Sequence, residues 1–417
     1  MPRKSCKYRL YPNKATAQKL QWTLDRCREL YNAALTERRD AYEFHVRQHG
    51  NYYDPEIKHH LTKELTVSYL SQKRELTIIK HEDRPEYQDI ACHVLQDVVL
   101  RLDKAFQAFF DRCKKKQQGL WQGKVGYPRF KSEKRYDSFT YPDSAGWKLD
   151  GNTLLLSKIG SAKVKLHRPI EGTIKTVTIK REVDQWYVVF SCEVEAAAPL
   201  PLSYEDVGID LGVTHLATLS NGEMIEHPRH FRKSERQLAR RQQATEKKKR
   251  GSHRRKKAGK LVGKAHRKVA RQRRDFLHKA SRQLVNRYQV LVFEDIQTGN
   301  LTRAPKPKQD ENGTYVPNGA SAKAGLNKSI LDAGWGTFVS MCVCKAEEAG
   351  RTLVKVDPKF TSQICSQCGT VRKKDLSERW HTCDCGCELD RDVNAAINIL
   401  ARGKQHLGGK RPTSATA

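Results

Sequence analysis

VGIDLGVTHLATLSNGE fills residues 207–223, and its apolar runs on either side of Gly212 read as two strands joined by a glycine turn. The first strand carries Val207 and Ile209 and ends on Asp210. Further along, VLVFEDI at 290–296 is a short unbroken apolar run, the mark of a buried strand, and it delivers Glu294 to its tip. GWGTFVSMCVCKAEEAG at 334–350 then reads as a helix and RTLVKVDP at 351–358 as a strand. DRDVNAAINIL at 390–400 reads as an amphipathic helix opened by acids, with Asp392 at its start. A single strand-end acid is ordinarily a cap, a turn former or a surface charge. Three acids on three separate elements are what two magnesium ions need in phosphodiester chemistry, because hard cations take oxygen ligands.

A hairpin carrying Asp, a buried strand carrying Glu, then helix, strand and an acidic helix start reproduce the element order of an RNase H-like fold. The expected nuclease domain spans 204–356, with a closing helix at 389–402 and a flexible tail at 403–417. Residues 297–328, rich in Pro, Gly, Asn and Lys, read as a long mobile loop within it. Between strand and closing helix, at 357–388, lies a cysteine cluster. Cys365 and Cys368 form one pair, and after a spacer of fourteen residues HTCDCGC supplies Cys383, Cys385 and Cys387. Two knuckles offering four thiolates are the usual frame of one structural zinc ion, assigned here to Cys365, Cys368, Cys383 and Cys385. Gly369 and Gly386 follow proposed ligands, where a tight knuckle needs positive φ. The second knuckle has one residue between cysteines instead of two, so Cys387 or His381 can stand in as fourth ligand.

Upstream, CKYRLYP at 6–12 reads as a strand, and Pro12-Asn13 opens a helical pattern in which Leu20, Leu24, Cys27, Leu30, Tyr31, Ala34 and Leu35 share one face. A second helix over about 90–116 places Val94, Leu95, Val98, Leu102, Phe106, Phe109 and Phe110 on its apolar side. Residues 14–118 are therefore a helical lobe, whose stripes are core. From Gly126 the chain turns to short strands that form a small antiparallel β-barrel, 119–200, completed by the first strand at 1–13.

The chain of 417 residues carries 78 Lys and Arg against 47 Asp and Glu, a net charge of +31. Self-repulsion on that scale points to a polyanionic partner. No apolar run approaches the roughly 18–20 residues of a membrane span and MPRKSCKYRLYPN has no signal core, so the expectation is a cytoplasmic protein without membrane association. Five of twelve cysteines fall within 365–387, and singles such as Cys27, Cys92 and Cys192 lie in apolar contexts, a pattern of metal binding in a reducing compartment. The stretch 231–284 includes EKKKRGSHRRKKAGK and HRKVARQRRDFLHK. It reads either as a solvated helical hairpin or as a nucleic-acid track, with Arg254, Arg255, Lys256, Lys257, Arg271 and Arg274 as phosphate contacts. Leu238, Leu261, Val269, Phe276, Leu277, Ala280 and Leu284 would dock that hairpin on the nuclease sheet. Tyr127, Arg129 and Lys131 in VGYPRFKSEKR suit stacking and phosphate contacts.

With these residues in hand the sequence resembles the TnpB family, transposon-encoded relatives of type V CRISPR effector nucleases. The resemblance rests on RLYPN at 9–13, GYPRFK at 126–131, GIDLGVTHLAT at 208–218, RRDFLHK at 273–279, FEDI at 293–296, DAGWG at 332–336, SQICSQCG at 362–369 and CGCELDRDVNAAINIL at 385–400, in that order. It implies a multidomain α/β protein: a RuvC nuclease domain with an inserted zinc ribbon, and a β-barrel wedge domain carrying a helical recognition lobe. It implies cleavage by Asp210, Glu294 and Asp392 with Asp390 supporting, and a monomer bound to one guide RNA from the transposon end and to double-stranded target DNA. Base pairing would read the target and protein contacts a short adjacent motif. A conventional transposase, a non-cleaving RNA-guided repressor and a zinc-ribbon DNA-binding protein are the competing readings. A repressor would be expected to have lost a metal ligand, and all three acids are present.

Overall fold

Pro12 ends one element and Asn13 starts the next: the Asn13 side chain accepts a 2.8 Å hydrogen bond from the Thr16 amide, capping the first helix. The computed structural model describes residues 2–49, 67–121, 123–373, 375 and 378–408, without the side chains of 45–49. It divides into two compact units, Met1–Glu195 and Ala196–Ala417.

In the first unit, strand β1 (Arg3–Tyr11) is followed by helices α1 (Lys14–His49), α2 (Tyr69–His81) and α3 (Cys92–Gln117). Strands β2 (Ser138–Tyr141), β3 (Trp147–Asp150), β4 (Thr153–Leu156), β5 (Gly160–Lys165), β6 (Thr173–Glu182) and β7 (Gln185–Glu193) complete it. Together with β1 they form one antiparallel seven-stranded sheet in the order β2-β6-β7-β1-β5-β4-β3. β1 lies inside the sheet, paired to β7 and β5, so the three helices are an insertion between a strand and its partners. The apolar stripe of α1, from Leu20 to Leu35, shares a single core with Tyr8, Phe139 and Phe190 of the sheet. The segments read from sequence as separate lobe and barrel are thus one packed unit. Phe110, expected on the buried side of α3, is 60% exposed, and Cys92 is exposed at the helix start, not in an apolar setting.

The second unit opens with β8 (Asp206–Asp210), β9 (His215–Leu219) and β10 (Met224–Glu226), followed by the helical pair α4 (His230–Glu246) and α5 (His253–Arg287). After β11 (Val290–Glu294), the stretch expected as a loop instead holds a one-turn helix α6 (Thr298–Leu301), the small ladder β12 (Lys308–Gln309) and β13 (Tyr315–Val316), and helix α7 (Ala320–Ala333). Composition misled there, because Ala320, Ala322, Ala324 and Leu326 are helix formers scattered among the turn residues. Helix α8 (Trp335–Ala349), strand β14 (Thr352–Val356), the short pair β15 (Trp380–Thr382) and β16 (Glu388–Asp390), and helix α9 (Arg391–Leu407) follow. Residues 403–407, expected in a flexible tail, continue α9, and 409–417 lie outside the described residues.

The five main strands run in the order β10-β9-β8-β11-β14, with the first three antiparallel and β8, β11 and β14 parallel. This is the RNase H-like arrangement. Side chains alternate across such strands with a period of two. Val207, Ile209, Leu291 and Phe293 face α5 and α8, where Leu277, Leu284 and Phe338 are buried with them. Val292 faces the other side and packs with Ile399 of α9. Leu238, Val269, Leu277, Ala280 and Leu284 of the basic pair are buried as expected, whereas Leu261 is 48% exposed. Among the described residues no helix is long and apolar enough to cross a membrane.

Two glycines let α9 lie against the sheet. A Cβ on Gly208 would meet the Ala396 carbonyl oxygen at 2.0 Å, and one on Gly403 would meet a Val292 methyl at 2.4 Å. We expect Gly208→Ala to lower unfolding stability by more than the ~1–3 kcal/mol of ordinary overpacking, since the obstacle is backbone. Gly259→Ala, where the same atom would meet nothing within 4 Å, should raise it by up to ~1 kcal/mol through helix propensity. Urea denaturation of the two variants checks the contrast, and equal effects would refute it.

Candidate functional site

The period-two rule carries directly into the site. Asp210 lies two residues beyond Gly208, and Glu294 two beyond Val292, so both carboxylates belong to the sheet face that α9 covers. β8 and β11 are adjacent and parallel, with Ile209 opposite Phe293, which brings the two strand tips side by side. α9 begins at Arg391, one turn before Ala396, and so carries Asp392 to the same end. The N-cap of α9 is Asp390, whose carboxylate accepts hydrogen bonds from the amides of Asp392 (2.8 Å) and Val393 (3.3 Å). Asp390 therefore fixes the helix start while the next acid along is left free of that duty.

The electrostatics place Glu294 and Asp392 near enough to Asp210 for their charges to act on it. Burial first, then the charges of Glu294 and Asp392, push the Asp210 carboxyl well above its ordinary value. Glu294 is raised by burial, against the opposing effects of its hydrogen bond from Thr361 and of the Arg402 charge. Burial and then Asp390 raise Asp392. The Thr361 hydroxyl donates to Glu294 Oε1 at 2.5 Å. Thr361, Asn394 and Asn398 escaped the sequence reading. Asn398 Nδ2 donates to the carbonyls of Thr361 (2.9 Å) and Ile364 (2.7 Å), and Asn394 pairs with the Ile364 carbonyl (2.8 Å) and the Ser366 amide (3.0 Å). Their four-residue spacing on α9 was a legible signal for one polar face. Thr361, in a connecting segment, offered none.

The cysteine cluster assembles as a second centre. The sulfurs of Cys365, Cys368, Cys383 and Cys385 all lie within 4.8 Å of one another, and Cys365 is 3.6 Å from Cys385 and Cys368 3.5 Å from Cys383. Tetrahedral zinc with bonds of about 2.3 Å needs sulfurs about 3.8 Å apart, so the spacing fits. Cys365, His381 and Cys387 form a second group within the same limit, which keeps both substitutes for the fourth ligand within reach and makes Cys365 common to either set. Gly369 and Gly386 have φ of 77° and 84°, as the knuckles require. The Thr370 hydroxyl, followed by its backbone, holds the Cys368 thiol down at about 6, which favours a thiolate ligand.

The predicted nucleic-acid residues divide into outward and inward groups. Arg254, Lys256, Lys257, Arg271 and Arg274 are exposed on α5. Arg255 is turned inward: its Nη1 donates to the carbonyls of Thr245, Glu246 and Lys248 at 3.2, 3.1 and 2.8 Å, closing the C-terminal end of α4. In the first unit, Arg129 and Tyr127 are both exposed, and the Tyr127 ring packs edge-on to Phe106 and Phe109 at 5.4 and 5.2 Å. Lys131 lies 5.8 Å from the Tyr31 ring, and its backbone pairs reciprocally with the Asn32 amide. Asp332 of DAGWG, another residue without an assigned role in the sequence, is buried. It accepts from the Phe231 amide at the start of α4 and from Arg273 of α5 at 2.8 Å, holding the basic pair in place.

Family models match three parts of the chain: OrfB_IS605, described as "Probable transposase", over 189–304; a Cas12f1-like TNB domain over 335–399; and a helix-turn-helix domain over 1–45. The last of these spans β1 and the larger part of the single helix α1. A Streptomyces pristinaespiralis protein assigned as an RNA-guided DNA endonuclease is 35% identical over 408 residues, 96% of this chain and 89% of its own. InsQ of Escherichia coli K12, with the same assignment, is 29% identical over 399 residues, 95% of this chain and 91% of its own. The fold is similar to that of Cas12f1 in a complex with single-guide RNA and target DNA, at a TM-score of 0.51 and 14% identity over 93% of this chain and 83% of that one. Likeness across almost the full length of such relatives, together with the collinear motifs and the acid and cysteine centres, establishes that the chain belongs to the TnpB family.

Proposed function

We propose that the protein is an RNA-guided, metal-dependent DNA endonuclease in which Asp210, Glu294 and Asp392 hold two magnesium ions and Cys365, Cys368, Cys383 and Cys385 hold one structural zinc ion. What supports this reading is that β8, β11 and α9 carry the three acids to the same end of the sheet, where burial raises each carboxyl and the charges of Glu294 and Asp392 raise Asp210 further. A site of that kind is stabilised by divalent cations, and all-oxygen donors suit magnesium. When bound, such ions supply the Lewis acidity for in-line displacement at a phosphodiester. The chain's own part is to hold the acids rigidly: the strand tips fix Asp210 and Glu294, and the Asp390 cap fixes the start of the helix carrying Asp392.

In the same reading the seven-stranded sheet is the wedge domain, α1 to α3 the recognition lobe, and 357–388 the zinc ribbon. The exposed Arg254, Lys256, Lys257, Arg271 and Arg274 of α5 supply phosphate contacts to the guide RNA and target DNA, and Arg129 supplies one from the first unit. The same sequence motifs admit a conventional transposase, in keeping with the description of the matching family model. Cleavage by purified protein with and without co-expressed RNA separates the two, because only the proposed enzyme needs the RNA.

Asp210→Ala, Glu294→Ala and Asp392→Ala should each reduce cleavage to background while guided binding persists, measured by gel shift beside a cleavage assay. A variant that still cuts removes its residue from the site. The Asp210 charge also has a signature in stability. A folded-state pKa above the unfolded value of about 3.9 means that ionisation opposes folding: the penalty is absent near pH 4 and grows as pH rises through the folded value. In EDTA, Asp210→Asn should therefore raise the melting temperature at pH 8, by about 2–4 °C for each kcal/mol recovered, and leave it unchanged near pH 4. A lower melting temperature at pH 8 would contradict the assigned sign.

Elemental analysis should find about one zinc per chain. Cys365→Ser, which disables both ligand groups, should lower thermal stability more than Cys387→Ser; equal losses would place Cys387 among the ligands. Joint replacement of Arg254, Lys256 and Lys257 by Gln should flatten the salt dependence of nucleic-acid binding, by up to about 0.9 in log–log slope for each phosphate left without its cation. Arg255→Gln should instead destabilise the α4–α5 pair. An unchanged slope in the triple variant would make that face a solvated surface.

A further inference from the structure

Residues 360–366 link the two centres. At one end Cys365 belongs to the sulfur cluster, and at the other the Thr361 hydroxyl donates to Glu294 Oε1 at 2.5 Å. Between them the chain is folded on itself: the Gln363 and Ile364 amides donate to the Phe360 carbonyl at 2.9 and 3.0 Å, and the Cys365 amide to the Thr370 carbonyl at 2.9 Å. Asn398 and Asn394 then tie the carbonyls of Thr361 and Ile364 and the amide of Ser366 to α9, the helix that begins with Asp392. Thr361, Asn394 and Asn398 are all buried, so solvent does not compete for these bonds.

We infer that Thr361 is a positioning residue that couples zinc occupancy of the cysteine cluster to divalent-cation binding at the acids, by fixing Glu294 through its hydroxyl. The inference rests on the reading of Asp210, Glu294 and Asp392 as the divalent-cation site. A hydroxyl has one proton, and the carboxylate at 2.5 Å is the stronger acceptor than the Pro358 carbonyl at 3.2 Å. With that proton on Oε1, Glu294 is held in one orientation and Oε2 remains for a cation. Partners of this kind orient ligating carboxylates, and their loss costs about 10–100-fold in metal affinity. Two anchors set where Thr361 stands: α9 holds the carbonyls of Thr361 and Ile364, and the sulfur cluster holds Cys365 at the end of the same turn. Loosening the sulfur cluster removes one of the two and leaves the turn held from one side.

The test uses full-length ribonucleoprotein purified with its co-expressed RNA, and Mn2+ binding followed by electron paramagnetic resonance, a readout independent of cleavage. Thr361→Val, which keeps the side-chain shape and removes the hydroxyl, should weaken Mn2+ binding at least about tenfold with zinc content unchanged. Thr361→Ser, which restores the hydroxyl, should return to within about threefold of wild type, a rescue that a role in packing alone would not give. Wild-type protein stripped of zinc by chelation and dialysed should show a loss similar to Thr361→Val, and stripping the Thr361→Val protein should add little. Mn2+ binding by Thr361→Val equal to wild type, while Glu294→Ala loses it, overturns the inference and leaves the nuclease reading standing. Full affinity in zinc-stripped wild type overturns the coupling. Mn2+ binding unchanged in Glu294→Ala overturns both.

Discussion

The close approach of α9 to β8 and β11 is the constraint on which the second unit depends. A helix ordinarily keeps a side-chain layer between itself and a sheet; here Gly208 and Gly403 each remove one side chain from that layer. The consequence is chemical as well as steric. Because β-strand side chains alternate, the face left bare at Gly208 is the face on which Asp210 stands, and the helix pressed against it begins with Asp392. Were α9 held a side-chain layer further off, the acids would remain on their elements but Asp392 would stand further from Asp210, whose carboxyl now feels its charge.

That placement is costly to maintain. Three carboxyls raised by burial, one of them raised further by the charges of the other two, are a local conflict, and such conflicts are concentrated where function demands them. Nearby cations soften it only in part: Arg391 favours the charged forms of Asp210 and Asp392, and Arg402 that of Glu294, yet burial outweighs them. The net charge of +31 is distributed elsewhere, about half of it on α4 and α5, whose 19 Lys and Arg stand against three Asp and Glu. Some members of that run serve structure, among them Arg255 at the end of α4 and Arg273 on Asp332.

Much of this was legible in the sequence, and the reasons differ by element. The strands of Asp210 and Glu294 announced themselves because a buried parallel strand is a short apolar run with a polar stop, and the α1 stripe because every third or fourth residue from Leu20 to Leu35 is apolar. The cysteine knuckles were legible from spacing and glycine. Other features depend on partners distant in sequence. Nothing local distinguishes Arg255 from Lys256, although one caps a helix and the other faces solvent. Thr361 gains its role only from Glu294, and the ring contacts of Tyr127 with Phe106 and Phe109 depend on a turn following α3. Residues 320–333 failed for a different reason: glycine and lysine around them lowered the apparent helical content, while the fold supplies Asp332 and Ile330 with buried partners.

Both units share a topological habit, an insertion carried between elements that the sheet fixes. In the first, β1 lies between β5 and β7, so the chain's earliest strand cannot complete its pairing until residues beyond 160 exist, and α1 to α3 emerge as an insertion. In the second, α9 covers a sheet whose last strand is β14, and the cysteine segment emerges between them. Each insertion begins and ends on elements already fixed by the sheet, so its length and surface can vary without moving the strands. The cysteine segment departs from that independence. Asn394 and Asn398 fasten it to α9 over a single turn, and Thr361 fastens it to Glu294, so it cannot shift without disturbing the two elements that present acids. A module bound this tightly to the sheet holds the strand and helix that carry Glu294 and Asp392 whatever else it touches, and that is a physical reason for its sulfurs to gather as a metal-ligand set: thiolate bonds would hold a small, core-poor segment to a tolerance that its few buried side chains could not supply.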